Sequence, residues 1–124
     1  MFIPFLALAM AFQTRAADET PNFLLRACKV ALAVKDRTIR NPEETDWLST
    51  GECTGYFHGF LDDSVWSASG TKGRLICAPE GTNFFEVARK YVEYANKHAS
   101  VKNEDNPSFG VLLFLKEIYP CPAK

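Results

Sequence analysis

His58 and Asp62 are the residues of this chain most suited to acid–base work. They stand four apart in the stretch CTGYFHGFLDD, Cys53 to Asp63, and on a helix that spacing puts both on one face. A carboxylate there could orient an imidazole as a general base. Such a pair needs a third member: a nucleophile, a calcium loop or a metal. The sequence has no Gly-x-Ser-x-Gly elbow, phosphate loop or histidine-rich metal motif, and its other histidine is His98, forty positions away. An exposed His–Asp pair without catalytic duty is therefore the favoured reading, no catalytic residue is assigned, and the chain is not expected to be an enzyme.

Four cysteines, Cys28, Cys53, Cys77 and Cys121, are the other reactive groups. Zinc ligands come in close pairs, whereas here the nearest two cysteines are 24 positions apart. No metal and no cofactor is expected. An even count in a small exported chain points instead to two disulfides, which would leave no thiol nucleophile.

Export is suggested by the first stretch, MFIPFLALAMAFQTRAADE. Met1 to Phe12 are apolar apart from a proline, and Thr14 and Ala16 supply small residues at −3 and −1 of a cut after Ala16. The run is too short to span a bilayer. No Lys or Arg precedes it, so either the true start lies upstream or the α-amino group supplies the positive end. Residues 1–17 are set apart as a signal peptide and 18–124 as one domain, periplasmic, with no membrane insertion expected once the leader is removed. Without Arg15 the remainder has 13 basic and 15 acidic residues, which excludes the basic field of a nucleic-acid binder.

The elements that must position these groups are helices. PNFLLRACKVALAVK, from about Pro21, puts Leu24, Ala27, Cys28, Ala31 and Leu32 on one face. NPEE, Asn41 to Glu44, reads as a second start, with Asn41 as cap and Pro42 at the first position. Gly51 is a candidate break, and Ser49 with Glu52 a further capping box. Beyond it Cys53, Tyr56, Phe57, Phe60 and Leu61 share an apolar stripe. Gly55, Gly59 and Trp66 lie on the far side, flanked by Asp62 and Asp63. Glycines four apart make a groove for a second backbone, so Gly55, Gly59, Tyr56 and Phe60 are expected at helix–helix contacts. Ser67 to Arg74 reads as a loop. A third helix opens near Thr82; it buries Phe84, Val87, Ala88, Tyr91, Val92 and Ala95 and wets Glu86, Arg89, Lys90, Glu93 and Lys97. That wet face is the candidate partner surface. The last helix has Asn106 as cap, Pro107 at its first position and apolar residues on almost every side, leaving a face for a second copy. With no period-two segment and no repeat, the class is all-α, a small disulfide-pinned bundle of about four helices.

Four cysteines permit three pairings. Cys28 and Cys53 lie on the buried stripes of the first two helices. Cys77 precedes the third helix and Cys121 follows the last, so an antiparallel hairpin brings them to one end. The expected bridges are Cys28–Cys53 and Cys77–Cys121.

CTGYFHGFLD, then CAPEGT (Cys77 to Thr82), KYVEYANKH (Lys90 to His98) and LKEIYPC (Leu115 to Cys121) together resemble the Rap/Tai family of type VI secretion immunity proteins. The departures are Ala78, where a larger apolar residue is commoner, and a long loop around Gly70 to Gly73. The resemblance implies a periplasmic, disulfide-bonded helical protein, often dimeric, that binds and blocks a peptidoglycan amidase effector. It transfers no contact list, and some relatives have no known toxin partner. A periplasmic chaperone or envelope-assembly helper of the same fold is the alternative function.

Overall fold

The computed structural model describes residues 19–67 and 75–122, with the backbone alone for 63–67. The expected signal peptide, the loop at 68–74 and the side chains of Asp63 and Trp66 lie outside the described residues. Five helices follow one another: α1 (Phe23–Lys35), α2 (Glu44–Ser67), α3 (Phe84–Lys97), the single turn α4 (Ala99–Lys102) and α5 (Ser108–Ile118). The described residues contain no strand. The all-α class is found, with one short helix, α4, between the expected third and last helices.

Asn22 starts α1. Its Oδ1 accepts from the Leu25 amide at 3.0 Å, satisfying one of the amides that a helix start leaves unpaired. Leu24, Leu25, Ala27, Cys28 and Ala31 then form the buried stripe. The chain leaves α1 through Asp36 and Arg37, the latter at φ 60°.

α2 begins two residues later than the Asn41–Pro42 signal implied. Asp46 supplies the start: its carboxylate accepts from the Glu43 amide at 2.9 Å, the reach-back half of a capping box. Neither Gly51 nor Ser49 interrupts the helix, which runs unbroken for 24 residues. The Thr50 and Thr54 hydroxyls donate to the carbonyls four residues back, at 2.8 and 2.9 Å. Burial of Cys53, Phe57 and Leu61 against the rest of the fold offsets the roughly 1 kcal/mol that each glycine costs a helix.

The centre is aromatic. Phe57, Tyr91 and Phe114, from α2, α3 and α5, are fully buried, with ring centroids 5.4 to 6.2 Å apart. Asn83, one residue past Thr82, caps α3 by accepting from the Phe85 amide at 2.9 Å. It follows a turn in which Thr82 N–H donates to the Pro79 carbonyl and Gly81 sits at φ +79°, the geometry glycine allows. α5 is counted from Ser108, but Pro107 already has helical dihedrals and Asn106 Oδ1 accepts from the Ser108 amide at 3.1 Å. The expected start is therefore found.

Both expected disulfides are present. Cys28–Cys53 joins α1 to α2 with Cα atoms 5.0 Å apart, and Cys77–Cys121 joins the approach to α3 to the exit of α5 at 4.9 Å. A backbone bond from Cys77 N–H to the Tyr119 carbonyl, 2.9 Å, runs beside the second. The loops span 25 and 44 residues, for which chain entropy gives about 3.5 and about 4 kcal/mol.

Candidate functional site

His58 and Asp62 share one face of α2, as the spacing required, with Nε2 and Oδ2 3.5 Å apart and side chains 63 and 66% exposed. The His58 ring lies 5.1 Å from Phe84. Together with Leu61, Pro79 and Thr82 they line an open cleft of about 350 Å³ at the junction of α2 and the turn before α3. Cys77 also lines it but is bound in a disulfide, and the Thr82 hydroxyl is turned onto the Pro79 carbonyl. The pair thus has no activated nucleophile beside it among the described residues. Nor do the described residues group three His, Cys, Asp or Glu in a way that could hold a metal. Around the recess the described residues place the His58 and Phe84 rings and the Asp62 carboxylate.

The expected partner face of α3 is exposed throughout, at Glu86, Arg89, Lys90, Glu93 and Lys97. Two of these cations already serve the fold. Arg89 forks onto the Asp36 carboxylate, at 3.0 and 2.8 Å, tying α3 to the end of α1. That bond holds the Asp36 carboxyl below the usual carboxylate range. Lys90 Nζ sits 5.8 Å from the Tyr119 ring centroid. Glu86, Glu93 and Lys97 remain on the wet side.

The glycines require a correction. A Cβ built on Gly51, Gly55 or Gly59 meets nothing within 4 Å, and all three are exposed. Gly55 and Gly59 therefore make no close helix contact with the described residues; glycine spacing permits close approach but does not supply the neighbour. The opposite face of α2 does the packing, where Tyr56 lies 6.2 Å from Phe23 and 6.1 Å from Phe60. On the outer face Trp47 and Leu48 are 57 and 66% exposed, which the sequence analysis passed over. On α5, Phe109 and Leu113 are also left in water.

Asn22 was missed as well. It is fully buried, and its Nδ2 donates to Tyr91 Oη at 2.8 Å and to the Val101 carbonyl at 3.0 Å, joining α1, α3 and α4. Burial, first, pushes the Tyr91 phenol up to about 12, with the Asn22 bond working against the shift. An asparagine immediately before an apolar periodic run was the available signal for the cap; nothing in the sequence marked the two tertiary bonds.

Fold and surface define a class: a small helical scaffold pinned by two disulfides, whose outer α2 face, cleft and α5 apolar pair are open. The family model for Rap1a immunity proteins matches residues 20–121, and the chain belongs to that family. No curated protein and no solved structure matches it.

Proposed function

We propose that this protein is an exported immunity protein that binds a peptidoglycan amidase effector of type VI secretion and blocks it by occlusion. The family match over residues 20–121 carries this reading. Two disulfides suit an oxidising compartment such as the periplasm, where such an effector would act. Among the described residues no helix is long and apolar enough to cross a membrane, which is compatible with that location. Inhibition by occlusion needs no catalytic residue. The wet face of α3, with Glu86, Arg89, Lys90, Glu93 and Lys97, is one proposed contact region. The exposed Phe109 and Leu113 of α5 are kept for a second copy in a homodimer.

The test is protection. Cells in which a candidate peptidoglycan amidase effector is directed to the periplasm should lyse. Co-export of this protein should restore growth, and purified protein should abolish amide hydrolysis at one equivalent. Full amidase activity in the presence of excess oxidised protein refutes the reading.

A further inference from the structure

Trp47 and Leu48 expose large apolar side chains on the first two turns of α2, and along the same face Gly51, Gly55 and Gly59 leave the helix surface bare. That track runs about 16 Å from Trp47 to His58, at 1.5 Å per residue. It ends at the cleft between α2 and the turn before α3, where His58 and Asp62 form one wall and Phe84 another. The charges that α2 itself contributes to it are of one sign, with Arg26 of α1 beside Glu52 at its edge. Between Arg40 and Lys72 the sequence contains no Lys or Arg, while Glu44, Glu52 and Asp62 are exposed on α2. Among the described residues Asp62 is the one carboxylate lining the cleft.

A tryptophan held open on a rigid helix is the residue type that anchors interfaces. A stable complex buries roughly 800 Å² per partner, so the continuity of the track with the cleft matters. The charge pattern selects the occupant. A second copy docked face to face would set carboxylates against carboxylates, which opposes association. A basic partner meets no such penalty.

We infer that this α2 face and its cleft form the docking surface for a basic segment of the effector protein. An apolar side chain of that segment would cover Trp47 and Leu48. A Lys or Arg would enter the cleft against Asp62, flanked by the Phe84 and His58 rings. The inference rests on the immunity reading and adds the surface and the charge of what it takes.

The experiment measures affinity for the amidase that wild-type protein neutralises. The variants are Trp47→Ala, Asp62→Lys and Gly55→Gln, with Lys102→Ala on α4, outside every proposed contact region, for comparison. Each substituted side chain is exposed or, at Gly55, enters empty space, so circular dichroism melts should stay within a few degrees of wild type. Trp47→Ala, Asp62→Lys and Gly55→Gln should each weaken binding at least tenfold, and Lys102→Ala less than threefold. Wild-type affinity should fall as salt rises, and less steeply for Asp62→Lys. If wild type binds and the three α2 variants bind equally well, the surface assignment is overturned and the immunity reading survives. If Trp47→Ala instead converts a dimer to a monomer in sedimentation, the face joins two copies and the assignment is also overturned. If wild type neutralises no amidase, both fall.

Discussion

Replacing Asn22 with alanine should be among the most damaging single polar changes in this protein. The side chain satisfies three groups at once: the Leu25 amide, the Tyr91 hydroxyl and the Val101 carbonyl. Loss of the cap costs about 1 kcal/mol. A buried carbonyl left without a donor costs about 1–3 kcal/mol, and loss of the Tyr91 bond about 1 more. Together Asn22→Ala should remove about 3–5 kcal/mol, a large share of a stability of about 5–15 kcal/mol. With a urea slope of about 1.5 kcal/mol/M, the midpoint of unfolding followed by circular dichroism under oxidising conditions should fall by about 2–3 M. Asn22→Ser retains a capping oxygen but loses both long-range bonds, so it should recover only about 1 kcal/mol. In a double-mutant cycle with Tyr91→Phe, the coupling should be about 1 kcal/mol. If Asn22→Ala costs under 1 kcal/mol, or Asn22→Ser matches wild type, the side chain does not join the helices as argued.

Replacing Cys77 and Cys121 together with alanine should lower stability by about 4 kcal/mol, the value for its 44-residue loop, read in the same urea titration. The buried Tyr91 phenol titrates near 12 rather than 10, so between those values the folded state holds a proton that the unfolded chain has released. Stability is thus intact below pH 10 and declines as pH rises toward 12, and Tyr91→Phe should reduce that decline in melts recorded from pH 9 to 12. At Gly110, a Cβ would lie 2.5 Å from Glu104 Oε2 and 3.3 Å from the Val101 methyls. The carboxylate can swing away, and alanine returns about 1 kcal/mol of helix propensity, so Gly110→Ala should change stability by under about 1 kcal/mol. Gly110→Leu overpacks the contact and should cost about 1–3 kcal/mol or more in the same assay.

Helices, core stripes and cysteine pairing were legible because each is written in local spacing. Cys28 and Cys53 fall on stripes that must face inward, and Cys77 and Cys121 punctuate a helical hairpin, so periodicity alone brings them together. The His58–Asp62 pair was legible for the same reason. Less local matters were not. The Asn22 bonds reach 69 and 79 residues along the chain, to a tyrosine hydroxyl and a backbone carbonyl that no local pattern ties to it. The open glycine face of α2 was misjudged because a missing side chain records an opportunity for contact, not a contact. The true start of α2 shifted because the Asp46 carboxylate outcompeted the Asn41–Pro42 signal for the role of cap. Trp47 was overlooked because a lone tryptophan in a short polar context carries no period.

The bridges join the first cysteine to the second and the third to the fourth. In a chain threaded N-terminus first through a membrane, that order has a practical result. An oxidase that links thiols as they emerge makes both native bonds directly, each loop closing before the next cysteine arrives. Under the proposed export, maturation of this protein requires an oxidant but no isomerase to reshuffle mistakes, and its yield should be indifferent to loss of the isomerase.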